Sequence, residues 1–151
     1  MQDKLQRLCS DFFSRLGLES PKAFDFPLQI RVDDIAITFE YDTKKPDSLI
    51  IHTALGVLPA EHELALYRAF LDANLFWTGT ADATIGVNSS TREAVIAYAF
   101  DYRDMNGERL VVLVEQFTIL TELWLRFIET VGQEGIAKVP NLNKLAFFNR
   151  A

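Results

Sequence analysis

Apolar residues recur at helical spacing from the first turns of the chain. Leu5, Leu8, Cys9, Phe12, Phe13 and Leu16 form one stripe, while Lys4, Gln6, Arg7, Asp11 and Arg15 occupy the rest of the circumference. Gly17 follows as a helix stop. Residues 18–27, with Pro21 and Pro27, read as a loop, and 28–32 as a short strand. Over 34–42 the period changes to two: Ile35, Ile37, Phe39 and Tyr41 alternate with Ala36, Thr38 and Glu40, which predicts a half-buried strand. A turn at 43–47 and a strand at 48–57 complete an antiparallel hairpin.

Pro59 and Ala60 open a second helix, roughly 60–73, whose apolar stripe is read as Leu64, Tyr67, Phe70 and Leu71. The run 74–80 breaks that period. Strands are expected at 83–88 and 93–102, joined by a turn at 89–92. After a loop at 104–107, a long helix covers about 108–131, with Leu110, Leu113, Val114, Phe117, Trp124, Phe127, Ile128 and Val131 near one face. Residues 110–114 alone would pass for a strand; the helical period continuing beyond them decides for helix. The order helix, strands, helix, strands, helix has short turns and no βαβ rhythm. It therefore predicts an α+β fold with an antiparallel sheet. Residues 1–131 form one domain in this reading. Residues 132–151, with Leu142, Leu145, Phe147 and Phe148, form a tail that is either free or docked.

Composition narrows the function. Apolar residues make up 49% of the 151, including twelve Phe and two Trp, enough for a core without disulfides or metals. The net charge of −6, with no basic run longer than Lys44-Lys45, argues against nucleic acid, whose phosphates need a basic footprint. Cys9 is the only cysteine, so no intrachain disulfide can form. The first residues carry charges where a signal peptide needs an apolar stretch, and no window reaches the roughly 18 apolar residues of a membrane span. The expectation is a cytoplasmic protein without membrane insertion. Asn88-Ser89-Ser90 fits a glycosylation sequon that such a location leaves idle.

A search for catalytic chemistry is largely negative. His62-Glu63-Leu64-Ala65-Leu66 begins like the zinc motif H-E-x-x-H but has Leu66 where the second histidine belongs. His52 is the only other histidine, so no metal site is expected. There is no G-x-S-x-G elbow and no phosphate-binding glycine pattern, and Cys9 lies on an apolar stripe where packing is the better reading. Asp33 and Asp34 could pair as acid and base, but a solvated strand end is preferred. No cofactor is predicted. Abundant aromatics without a polar constellation fit a binding or assembly protein better than an enzyme.

The stretch 71–88, Leu-Asp-Ala-Asn-Leu-Phe-Trp-Thr-Gly-Thr-Ala-Asp-Ala-Thr-Ile-Gly-Val-Asn, resembles the signature of the class I type III secretion chaperones, the Tir-chaperone family. That family carries a helix ending in Leu-x-x-Asn-Leu, a small glycine-containing loop, then a strand reading apolar–Gly–apolar. Leu55-Gly56-Val57-Leu58-Pro59, the acidic balance, the size and the order of elements also resemble it, over roughly residues 3–131. The resemblance implies a homodimer that binds the N-terminal chaperone-binding region of secreted effectors in the bacterial cytoplasm and keeps it extended and export-competent, without cofactor or ATP hydrolysis. For client binding it points to Leu5, Leu8 and Phe12 of the first helix and Ile37, Phe39 and Ile51 of the sheet. Each also fits a core position. For the dimer interface it points to Tyr67, Phe70, Leu71, Phe76, Trp77 and Ile85, which also fit packing inside one protomer.

Two other readings remain open at this point. One is a chaperone-like dimeric regulator or adaptor not tied to secretion. The other is a small enzyme using scattered residues such as Asp34, His52, Glu61 and His62, which requires a deep polar pocket.

Overall fold

The computed structural model describes residues 2–142 and 145. Helix α1 (Gln2–Arg15) ends as the sequence predicts. The Gly17 N–H bonds the Ser14 carbonyl and the Leu18 N–H the Phe13 carbonyl, with Gly17 at φ 70, the left-handed stop that glycine adopts without a Cβ clash. The following loop is tied back to α1, because the Gln6 side chain bonds both the N–H and the carbonyl of Phe24, at 2.7 and 2.8 Å.

Five strands form one antiparallel sheet in the order β1-β2-β3-β5-β4. Strand β1 (Leu28–Val32) meets β2 (Ile35–Tyr41) through a two-residue turn at Asp33 and Asp34, with Asp33 in the left-handed region that Asp tolerates. The two aspartates are therefore the hairpin tip. Strand β3 (Ser48–Val57) pairs along nearly its whole length with β5 (Glu93–Asp101), which also pairs with the edge strand β4 (Thr84–Asn88). Alternation places Ile37, Phe39, Leu49, Ile51, Leu55, Ile85 and Ile96 inward, and all are buried. Helix α3 (Gly107–Glu134) and α1 cover this inner face. Phe12 meets Phe39 edge-on at 6.3 Å, and every residue named above on the α3 face is buried. The Asn106 side chain caps α3 by accepting the Arg109 N–H at 2.8 Å.

The structure corrects several details. Leu16 and Tyr41 are exposed. Leu16 lies past the last residue of α1, and Tyr41 ends β2, where its ring leans on Phe26 at 4.9 Å. The second helix starts with a 3-10 turn (Ala60–His62) before α2 (Glu63–Asn74), and Tyr102 belongs to a 3-10 turn rather than to β5. The helix at the end runs three residues further than expected. Beyond it, Ala137, Leu142 and Leu145 pack against the core, while Phe147 and Phe148 lie outside the described residues.

The largest correction concerns α2. Of the expected stripe only Phe70 is buried, with Tyr67 half-buried and Leu64 and Leu71 exposed; the buried residues of α2 are Leu66, Phe70 and Ala73. At about 100° per residue, Leu66, Phe70 and Ala73 share an arc of about 60°, and Leu64 and Leu71 fall on the opposite side. The helix is apolar on two faces. Among the described residues, no helix is long and apolar enough to cross a membrane.

Candidate functional site

The end of α2 and the loop after it are held by a small set of polar contacts. Asn74 clasps Ile85 of β4 twice: its Nδ2 donates to the Ile85 carbonyl at 2.7 Å and its Oδ1 accepts the Ile85 N–H at 2.9 Å. Only an amide side chain offers both functions in one plane. The Gly79 N–H bonds the Ala73 carbonyl at 3.0 Å, and a Cβ on Gly79 would lie 2.7 Å from the Ala73 Cβ, so no other residue fits without displacing the loop. The carbonyl of Gly79 accepts the indole N–H of Trp124, which is wholly buried against Phe70 and Phe127. These contacts explain what the asparagine, the small loop and the glycine of the 71–88 stretch do together.

The clasped loop pushes aromatic rings outward. Phe76 and Trp77 both have positive φ, 53 and 57, a conformation that costs a bulky residue about 1–3 kcal/mol and persists only where the surroundings impose it. Phe76 is 79% exposed and Trp77 50%. Leu75 beside them is exposed, and so are Leu64 and Leu71 on the outer face of α2. The result is a set of exposed apolar residues, here called the ridge, that runs along the outer face of α2 from its first turn past its C-terminus, with Arg68 exposed among them. Tyr67 flanks it, half-buried, donating its hydroxyl to the Glu63 carboxylate. That hydrogen bond is the main cause holding the phenol above its ordinary pKa.

The sequence-predicted interface residues therefore divide. Leu71, Phe76 and Trp77 lie on the exposed ridge, with Tyr67 at its side, while Phe70 and Ile85 are core residues beneath it. Leu64 and Leu75 belong to the ridge and were not assigned to an interface from sequence. Their spacing to Leu71, seven and four residues, is the signal that identifies them once the core face of α2 is known.

The six candidates for client binding are all buried. Leu5, Leu8 and Phe12 line, with Phe39, a gap between α1 and the sheet of only about 10 Å³, while Ile37 and Ile51 are fully buried on the inner face of the sheet. Cys9 lies in the same layer, and burial pushes its thiol up to about 11. The structure brings these residues together as core.

The scattered residues of an enzymatic reading do not converge. Asp34 and His52 line one open cleft on the outer side of the sheet, whereas Glu61 and His62 sit in the turn before α2, with His62 against Gly135. Among the described residues, no three His, Cys, Asp or Glu side chains are grouped to hold a metal.

The profile of the Tir chaperone protein (CesT) family matches residues 7–125. This chain belongs to that family. No curated protein sequence matches it. Solved structures share the fold at low sequence identity. A chain of the ExsC–ExsE complex is 17% identical with a TM-score of 0.68, the match covering 85% of this chain and 96% of that one. A chain of the ExoT–SpcS complex from Pseudomonas aeruginosa is 16% identical with a TM-score of 0.61, covering 81% and 97%. A chain from the Yersinia pestis type III secretion chaperone SycH in complex with a stable YscM2 fragment is 17% identical with a TM-score of 0.58, covering 78% and 96%. The Tir chaperone family thus accounts for the order of elements and for the 71–88 stretch. It does not extend to the end of α3 or to residues 135–142, which in this chain continue past the matched region.

Proposed function

We propose that this protein is a cytoplasmic, non-enzymatic chaperone. It works as a homodimer that binds the N-terminal chaperone-binding segment of one or more type III secretion effectors and keeps it extended for export. Membership of the Tir chaperone family over residues 7–125 carries the reading. The fold it shares with a chain of the HopA1–SchA chaperone–effector complex and with a chain of the heterodimeric ExoU–SpcU complex of a type III secretion system agrees with it.

The physics of the task fits the molecule. An extended client loses conformational entropy on binding, so the surface that holds it must be large, and two copies double that surface. The ridge of Leu64, Leu71, Leu75, Phe76 and Trp77 is the proposed dimer contact, with Tyr67 at its rim and Phe70 and Ile85 supporting it from beneath. An apolar face opposite the core face of a helix has no role inside one protomer, and aromatic residues are enriched at interface centres. Client binding is proposed for the layer between α1 and the sheet, through Leu5, Leu8, Phe12, Ile37, Phe39 and Ile51. These residues must then exchange core contacts for client contacts.

The test is affinity purification of the tagged chain from its own organism, with mass spectrometry and sedimentation of the eluted complex. The expected result is a secreted protein held through its N-terminal region by two copies of this chain. A monomer, or a dimer that elutes without any secreted protein, would overturn the proposal.

A further inference from the structure

Strands β2 and β3 are neighbours in the sheet, yet their ladder stops halfway. Pairing runs from Tyr41↔Leu49 to Thr38↔His52 and goes no further, although β2 begins at Ile35 and β3 continues to Val57. Beyond that point the Thr53 hydroxyl donates to the Ala36 carbonyl at 2.6 Å, a side-chain bond standing where a backbone rung would be. On its other side β3 carries a bulge between Ala54 and Gly56, which bends the strand end. The two strands splay, and the space between them is an open cleft of about 560 Å³.

The chemistry of this cleft is one-sided. Its floor is apolar, from Ile35, Leu55 and, reaching through from α3, Leu125. Its carboxylates are Asp34 from the β1–β2 turn on one side of β3 and Glu93 at the start of β5 on the other, and the lining titratable group besides them, His52, is turned to the Glu40 carboxylate at 3.4 Å. Among the described residues neither carboxylate has an ion-pair partner, and no lysine or arginine lines the cleft. The nearby Arg31 side chain contacts the backbone carbonyl of Asp34, at 3.4 Å.

The geometry points to a docking cleft for an extended basic segment of a partner polypeptide. This inference rests on the client-binding reading above and names the client's chemistry: lysine or arginine alternating with apolar residues. A long cationic side chain can lay its aliphatic stem on Leu55 and Leu125 and put its head between the two carboxylates. The segment's backbone can pair with the groups that β2 and β3 leave open past the Thr53–Ala36 bond, toward Ile35 and Leu55. An anionic segment meets only repulsion there.

The probe is a short fluorescent peptide of alternating valine and arginine, with a valine–glutamate peptide as comparison, titrated into the full chain at physiological salt. The arginine peptide is expected to bind and to slow amide exchange at residues 35–38 and 53–56. The D34N/E93Q variant is expected to lose roughly tenfold in affinity, the sum of two solvent-accessible charge contacts. A54K places a cation in the cleft from an exposed position and should abolish binding. Removing equal charge on the outer surface of α3, in E108Q/E115Q, should change nothing. Equal binding of both peptides, exchange protection elsewhere, or unchanged affinity in both D34N/E93Q and A54K would overturn the inference. The same variants in the affinity purification separate the two levels. A secreted client captured equally by wild type and D34N/E93Q overturns the cleft and leaves the chaperone reading standing. Failure to capture any client overturns that reading, while the peptide titration still decides the cleft.

Discussion

Between α1 and the sheet, Leu5, Leu8 and Phe12 meet Phe39 and Leu49 in a layer with only about 10 Å³ of open space. At the far end of the sheet, Leu64, Leu71, Leu75, Phe76 and Trp77 are as apolar, yet they stand exposed. The difference does not lie in composition. On α1 a single apolar face turns toward the sheet, so burial inside the protomer satisfies it. Helix α2 has two, and Leu66, Phe70 and Ala73 already occupy the inner one. The outer face and the two strained aromatics beyond it stay exposed, which is why the proposed dimer contact is placed there. Burial thus separates residues that hold the protomer together from residues that face outward, where hydropathy alone treats them alike.

The sharpest way to break this comparison is to truncate one aromatic ring in each region. Phe12→Ala should cost about 3–5 kcal/mol of unfolding free energy by urea titration, as expected for emptying a closed core site. A loss below about 1 kcal/mol would mean that the layer beneath α1 is already loosely packed. Next in size is the ridge. Leu71→Asp and Trp77→Asp should leave the far-ultraviolet circular dichroism unchanged but weaken the dimer by at least about thirtyfold, near 2 kcal/mol, in sedimentation equilibrium. An unchanged dimer in both would remove the ridge from the interface. Phe70→Asp does not test the interface, because it buries a charge in the core and unfolds the protomer.

Asn74→Ala deletes both bonds of the clasp and should cost about 1–3 kcal/mol, with faster amide exchange at Ile85. Phe76→Gly has the smallest effect on stability and the most discriminating sign. It relieves a left-handed backbone and should leave the protomer as stable or up to about 1 kcal/mol more so, while weakening the dimer. If both quantities fall together, Phe76 is a packing residue. The pH dependence marks the buried side of the comparison. The Cys9 thiol is raised from 9.0 to about 11, so its contribution to stability is fully present below pH 9.0 and is lost as pH rises through about 11. Replacing Cys9 by Ala should flatten that alkaline limb of the stability–pH curve.

The strands were legible because strict alternation leaves one consistent face. Ile35, Ile37 and Phe39 could only point inward together, and the hairpins followed from short turns between such runs. The long helix was legible for the same reason at its own period. The phase of α2 was not, because two opposed apolar faces produce no single stripe, and a reading that expects one merges Leu64 and Leu71 with Phe70. The resemblance of residues 71–88 to the Tir chaperones marks this loop as a family feature, but not the contacts that hold it. The clasp by Asn74 and the close approach at Gly79 depend on where β4 and Trp124 arrive, which no local pattern encodes. The β2–β3 cleft was equally hidden. It exists where a ladder stops, and the residues on either side of the stop follow the same alternation as those within it.

The two ends of the fold also set a clock. The Asp11 carboxylate accepts the Gly107 N–H across 96 residues, and the Lys4 ammonium bonds the Arg103 carbonyl across 99. A Cβ on Gly107 would lie only 2.2 Å from Asp11, so the first helix docks against the start of the last one with no room to spare. During synthesis α1 leaves the ribosome before α3 and must wait for that partner. At about 5–20 residues per second the delay is roughly 5–20 seconds, during which Leu5, Leu8 and Phe12 have no finished core to enter. A protein proposed to shelter another chain's unfolded segment thus leaves an apolar helix of its own unsheltered until α3 is made.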